Sequence, residues 1–466
     1  MMLALTAALA IIVRDQAALR AAPRANAIEL ATLWQGDVLE VRGERGGYLK
    51  VYNYRREQGG YVKEDAAQSL PLTESAAPDL LAVTRFLRHS AGFEALGISY
   101  AAAYLRVIPP RELTAEPLDA IATMAERLAD EASASAAPRR RIAARLEVIG
   151  QFGIHMKSFE RNGQTVLCYD GELYRRILTL ARATAEERSH AALGLTRPDC
   201  IDPNLGPLPR AALDEERRAI LESIADRDLD PVTRSRLHAR RAAVWATIAF
   251  ERARRLEPAA EAAQRALTEL LFVHPDDLGD DRRDEFADAA VRVGAVRWAA
   301  SPGAPQTGPL ILKATPGERG QTCVSLAAGP ESAPPVARRC TYGIVWIASA
   351  QSIAQGEALV LAVQPLESWR ELWVFHRTAT TWRIDVLSPA LTEPEEGYVE
   401  FAGFVPHTRR LLLVREAKVG AGFRRRFEEL RLDDLTLVHR ASTPLLLPDF
   451  ARWQDVAWRR ETLALR

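Results

Sequence analysis

The sequence predicts a multidomain α+β protein. A small β-barrel comes first, then a helical domain of helix hairpins with one β-hairpin insertion, then an all-β domain of antiparallel units. Three observations lead there. At 466 residues the chain is too long for one hydrophobic core. The spacing of apolar residues changes twice, from strand-like over 11–66 to helical over 77–300 and back to strand-like over 308–466. The two joints, Leu70–Pro78 and Ser301–Pro309, are rich in proline and small residues, as linkers are.

The first ten residues read MMLALTAALA, and Ala8-Leu9-Ala10 has the small-x-small form of a signal-peptidase site. Residues 1–10 are therefore expected to be the remnant of a signal peptide, the alternative being a first helix or strand of the fold. Beyond them, Val38, Leu39 and Val41 face Tyr48, Leu49 and Val51 across the glycine-rich turn 43–47, which predicts a β-hairpin. Leu19, Val38, Val41, Leu49, Val51 and Val62 are expected to point inward.

Leu19-Arg20-Ala21-Ala22-Pro23, Gly36-Asp37-Val38-Leu39-Glu40-Val41, Tyr48-Leu49-Lys50-Val51 and Gly60-Tyr61-Val62 occur in the order and spacing of the strand motifs of bacterial SH3-like (SH3b) domains. Residues 11–66 resemble that family, which implies an SH3-like β-barrel and a groove for a wall or peptide ligand. The segment Tyr52–Gln58 is longer and more charged than the family's usual link, so it would reshape such a groove. Tyr48, Tyr52, Tyr54 and Tyr61 are the candidate binding residues, because tyrosine offers large contact area at low entropic cost. Tyr48 and Tyr61 fall on the motif and are expected to pack; Tyr52 and Tyr54 are expected to be exposed.

In the helical domain, 77–300, Thr184 and Glu187 form a capping box, and Pro231 opens a long helix in which Leu237, Val244, Trp245 and Ile248 share a face. Arg161-Asn162-Gly163 lies between the β-prone runs Ile154–Glu160 and Gln164–Tyr169, a strong hairpin signal, with a helix expected after Asp170-Gly171.

The last domain, 308–466, holds two groups of four strand-length runs, at 344–387 and 398–440. A third set comprises 310–313, 321–326, 337–340 and 462–465. Val405–Leu412 is similar to the inner hairpin of TolB-type propeller blades. Three such units are fewer than a propeller's usual minimum, so blade-like units, a sandwich and an irregular barrel all stay open. Trp346, Trp369, Trp373, Trp382, Trp453 and Trp458 are expected in its core.

The four cysteines pair by position as Cys168 with Cys200 and Cys323 with Cys340, the second pair equidistant from the turn 329–335. Two disulfides imply an exported, periplasmic location, the alternative being four buried thiols in the cytosol. Balanced charge, with 61 basic and 61 acidic residues, speaks against nucleic acid as a partner. No stretch is apolar for long enough to span a membrane. The eight histidines are scattered without metal-ligand spacing, and no phosphate loop, dinucleotide fingerprint or nucleophile elbow occurs, so no cofactor or metal is expected. His155 and Cys168 stand in the opposite order to the cysteine peptidases that carry SH3-like domains. The runs Arg139–Arg141 and Arg424–Arg426 either meet an anionic partner or mark a helix start and a charge-protected edge strand. Together these features predict an exported, non-catalytic binding or scaffolding protein of the bacterial envelope, with peptidoglycan or a protein as partner. An envelope hydrolase or transferase and a subunit of a larger complex are the alternatives.

Overall fold

The structure, a computed structural model, describes residues 8–134, 139–279, 283–301, 310–329, 334–378, 381–390, 396–420, 422–456 and 458–459. The chain divides into two compact units, Met1–Gly206 and Pro207–Arg466. The helical stretch 77–300 is thus shared between them.

Unit 1 opens with seven strands: β1 (Ala8–Ile12), β2 (Ala17–Arg20), β3 (Glu29–Leu33), β4 (Val38–Arg45), β5 (Tyr48–Asn53), β6 (Gln58–Lys63) and β7 (Ala67–Pro71). They form one antiparallel sheet in the order β3-β2-β6-β5-β4-β1-β7. Its path ends on β3 and β7, with no pairing between those two among the described residues, so the sheet is open where a closed barrel was expected. It also extends beyond 11–66 at both ends. Ala8-Leu9-Ala10, expected to belong to a leader, lies in the interior strand β1 between β4 and β7, and Ala10 is fully buried. The alternative reading, a first strand of the fold, describes Ala8–Ile12; residues 1–7 lie outside the described set.

Leu19, Leu39, Leu49, Val51 and Val62 meet in one core on the inner face of this sheet, with Val41 packed at its margin. Val38 does not join them. Side chains alternate along a strand, so with Leu39 and Val41 inward Val38 must face outward. There it packs beside Ile11 against α1 (Ala77–Arg88) and α2 (Glu94–Val107), through Leu80, Leu87, Leu96 and Tyr100. Gly36 makes the approach possible: a Cβ there would sit 2.7 Å from the Ala95 carbonyl oxygen, and Ser99 Oγ donates to the Gly36 carbonyl at 2.7 Å.

The rest of unit 1 is α3 (Ala115–Ser133), α4 (Arg139–Gly150), the hairpin β8 (Met156–Arg161) and β9 (Gln164–Tyr169), α5 (Glu172–Thr179) and α6 (Ala185–Leu195). Asn162 and Gly163 both have positive φ, 51° and 73°, the backbone a tight two-residue hairpin requires. Thr184 and Glu187 close the expected capping box on α6. Arg139–Arg141 are exposed at the start of α4. Cys168 of β9 is bonded to Cys200, which ties the hairpin to the loop after α6.

Unit 2 begins with α7 (Pro207–Glu222), α8 (Pro231–Arg254), α9 (Ala260–Leu271) and α10 (Arg283–Val296). Leu237, Val244, Trp245 and Ile248 of α8 are buried, as their shared face predicts. Among the described residues twelve strands follow: β10 (Leu310–Pro316), β11 (Thr322–Ala328), β12 (Ala337–Thr341), β13 (Ile344–Val345), β14 (Gln351–Ile353), β15 (Ala358–Leu366), β16 (Trp369–Arg377), β17 (Trp382–Leu387), β18 (Gly397–Val405), β19 (Arg410–Val419), β20 (Gly422–Arg431) and β21 (Leu437–Ala441), then the short α11 (Pro448–Trp453).

The two expected four-strand groups are present as antiparallel meanders. They are not separate blades. A short parallel contact, Trp369 to Gly397 and Arg370 to Tyr398, joins them into one nine-stranded sheet. The third set forms the three-stranded sheet β10-β11-β12, whose Leu310, Leu312, Val324 and Leu326 pack on Leu359, Leu361, Trp373 and Phe375 of the large sheet. Residues 462–465 lie outside the described set. Cys323 and Cys340 are direct cross-strand neighbours on β11 and β12 and are bonded, so both expected disulfides are present; of the turn between them, 330–333 lie outside the described residues. Two disulfides fit an oxidising compartment. Among the described residues no helix is long and apolar enough to cross a membrane.

Candidate functional site

The four tyrosines separate only in part as expected, since Tyr52, expected exposed, and Tyr61, expected to pack, are buried to a similar degree. Tyr48 is buried, Tyr52 and Tyr61 are half-buried, and Tyr54 is 67 % exposed. Register places Glu40, Tyr52 and Gly59 side by side on β4, β5 and β6, and Lys50 beside Tyr61 on the same outer face. The Arg42 guanidinium lies 4.1 Å from the centre of the Tyr52 ring, and its Nε donates to Glu40 at 2.8 Å. Tyr54 meets Tyr52 edge-on, ring centres 5.0 Å apart, and its hydroxyl donates to Glu40 at 3.0 Å. Hydrogen bonds from Arg42 and then Tyr54 hold the Glu40 carboxyl below the usual carboxylate range. Glu40 is thus a charged anchor for two aromatic groups.

The unusual segment after β5 is fixed from beneath. Asn53 accepts a bond from the Arg56 backbone N–H at 3.1 Å. Arg55 pairs with Asp37 at 3.4 Å and with Glu147 of α4 at 3.2 Å, and donates to the Glu147 carbonyl at 3.0 Å. Asp37 is fully buried, and that burial raises its carboxyl above the ordinary value, against the opposing pull of the Trp34 N–H and Arg55. Tyr54 is therefore presented on a braced turn. Such an arrangement can stack on a sugar ring or a peptide side chain at little ordering cost.

Unit 1 also contains a histidine–carboxylate pair that sequence spacing did not reveal. His190 Nδ1 lies 2.5 Å from Asp119 Oδ1, and Arg88 bonds the other carboxylate oxygen. Burial works to raise the Asp119 carboxyl, but His190 and Arg88 more than offset it, and it titrates below the usual range. The edge of the Tyr174 ring faces His190, and nearby Glu126 is pushed up by burial. Asp119 and His190 are 71 residues apart, so only the packing of α6 on α3 unites them.

Unit 2 has a cavity of about 290 Å³ lined by Arg297, Trp298, Arg370, Glu400, Phe401 and Trp458 among others. Glu400 receives Arg297 at 2.7 Å, Trp458 Nε1 at 3.1 Å, and Arg370. Burial pushes Arg370 down to about 10, with Glu400 opposing. A carboxylate clamped in this way is a structural counter-ion, poorly placed to exchange protons. Among the described residues no group of three or more histidine, cysteine or acidic side chains is placed to hold a metal ion.

No family model, no curated protein and no solved structure matches the chain.

Proposed function

We propose that the protein is an exported, non-catalytic binding protein of the bacterial cell envelope. Its N-terminal sheet acts as an SH3-like module and holds a wall glycan or peptide against Tyr52 and Tyr54. The observation that carries this reading is the braced, exposed Tyr54 in contact with Tyr52 above the Glu40–Arg42 pair. The disulfides support export. The test is retention of the full chain on purified peptidoglycan, with Tyr54→Ala and Tyr52→Ala beside the wild type. Truncation of an aromatic anchor costs about 1–3 kcal/mol, so roughly a five- to hundredfold loss of affinity is expected with the fold unchanged. No retention of the wild type, or equal retention of both variants, refutes the reading.

A second reading, an envelope hydrolase or transferase, is favoured by one observation. Asp119 orients the half-exposed His190 as an orienting carboxylate does for a general base. Turnover of wall fragments that His190→Gln abolishes would establish it; turnover unaffected by His190→Gln, or none, ends it.

A further inference from the structure

The run Arg424–Arg426 is not laid out as one basic block. Alternation along β20 sends Arg425 to one face, where it meets Glu416 at 3.2 Å, and sends Arg424 and Arg426 to the other. On that other face the register puts Arg426 directly opposite Arg415 of β19, and Arg424 opposite Ala417. Arg415, Arg424 and Arg426 accordingly line one cleft of about 190 Å³, together with Pro389, Ala390 and Val419.

Among the described residues the charges in this cleft do not balance. Glu428 takes Arg415 at 3.0 Å and Arg440 also at 3.0 Å, so one carboxylate serves two guanidiniums. Arg424 and Arg426 make no ion pair among the described residues. Like charges directly opposed across a sheet are destabilising. Protection of an edge explains only part of this. The β20 half that carries these arginines pairs with β19 and not with β21, which covers Phe427–Leu430. But Arg415 lies on an interior strand, and Arg426 is half-buried, so neither is a solvent-facing edge charge. A sheet that sets three guanidiniums around a small-walled recess is shaped for something that returns the missing negative charge.

We propose that this cleft binds a phosphate group. Planar guanidinium forks match phosphate oxygens in pairs, and a group with more than one negative charge suits two arginines that have no carboxylate partner among the described residues better than a single carboxylate does. Ala390 and Ala417 leave the space for it, and Pro389 forms a buried apolar wall. The phosphate is carried either by a small ester or by a polymer with a phosphate in each repeat.

The experiment is calorimetric titration of the full chain with inorganic phosphate, glycerol 3-phosphate and polyphosphate, at two salt concentrations. Wild type, Arg424→Met, Arg426→Met and a charge-matched control, Arg24→Met, are compared. The expected result is one phosphate per chain, weakened tenfold or more by Arg426→Met, several-fold by Arg424→Met and not by Arg24→Met. Equal strength for the small esters and for polyphosphate per phosphate identifies the small ester. Binding of polyphosphate alone, with the same loss in the variants, identifies the polymer. Arg424 is exposed, so Arg424→Met keeps the test open should Arg426→Met fail to fold. No binding of any probe to the wild type overturns the proposal. So does a loss in Arg24→Met equal to that in Arg424→Met, or citrate binding more tightly than phosphate.

Discussion

Replacing Cys168 and Cys200 by alanine together tests how unit 1 is held. The bridge joins β9 to the loop after α6 across 32 residues of chain, between a buried and a half-buried cysteine. In the chain-entropy account a loop of that length removes about 12 cal/mol/K from the unfolded ensemble, or about 3.7 kcal/mol at 25 °C. The hairpin has other anchors: Ser133 Oγ accepts the Leu167 N–H at 2.8 Å, and Arg161 donates to the Ile201 carbonyl at 2.8 Å. These survive the substitution, so the fold is expected to persist while stability falls. For a unit of this size a loss of that order lowers the melting temperature by about 7–15 °C. Differential scanning calorimetry of the full chain should show the transition of unit 1 moving down and that of unit 2 in place. The matching pair Cys323→Ala with Cys340→Ala removes a bridge between cysteines 17 residues apart, for about 3.1 kcal/mol, and should move only unit 2. A shift of unit 1 corresponding to less than about 1 kcal/mol, or a shift of the wrong unit, would refute the reasoning.

Three further outcomes are expected. Asp119→Asn should destabilise unit 1 by on the order of 1–3 kcal/mol at pH 7, since it removes the charge that Arg88 and His190 share. Because the folded carboxyl of Asp119 lies below its unfolded value, its contribution is fully present above the unfolded pKa and is lost as pH falls through the folded one. Denaturation midpoints of the wild type should therefore drop below about pH 4 more steeply than those of the variant. Gly403→Ala should cost unit 2 on the order of 2–4 kcal/mol, read by urea unfolding, because the new Cβ would sit 2.3 Å from the Trp453 carbonyl oxygen, a backbone atom that cannot swing aside as a side chain could. Thr184→Ala should cost about 1 kcal/mol by the same measurement, the usual value of a capping-box threonine.

Local signals were legible wherever the chemistry lies within a few residues. Asn162-Gly163 dictates a tight turn because both positions need positive φ, and Thr184 with Glu187 satisfies N–H groups one turn away. The Cys323–Cys340 pairing follows from equal distance to a turn. What failed was the side of a strand and the company it keeps. Ala8-Leu9-Ala10 reads like the end of a leader because a short apolar run has the same composition whether it is cleaved off or buried between two strands. Val38 was expected inward because nothing near it in sequence announces that α1 and α2 cover the second face. The tyrosine set was visible in outline, but the partners that organise it were not: Glu40 lies 14 residues from Tyr54, and Glu147 lies 92 residues from Arg55. The Asp119–His190 pair left no local trace at all. Propeller blades and a single wide sheet share the same meanders, and they differ only in whether Trp369 and Arg370 find β18.

The cation this protein buries is arginine. The chain has five lysines against fifty-six arginines, which in the sequence alone resembles a coding bias. The structure gives it a physical consequence, for Arg145, Arg217, Arg241, Arg297 and Arg370 are buried and no lysine is. A buried lysine can shed its proton; a guanidinium stays charged and must be matched. Each of the five has a carboxylate partner, although Arg297 and Arg370 share one. Arg145 has Asp15 and Glu131, both at 3.7 Å, and Arg241 has Asp226 at 3.7 Å with the Leu221 and Ile224 carbonyls. Arg217 has Asp214 at 2.9 Å, while Arg297 and Arg370 converge on Glu400. Removing one partner from such a pair is costly because the other charge stays behind. In the cleft on β19 and β20, Arg426 is half-buried, faces Arg415 directly, and has no carboxylate partner among the described residues. The same rule that explains the buried arginines therefore asks for an anion there.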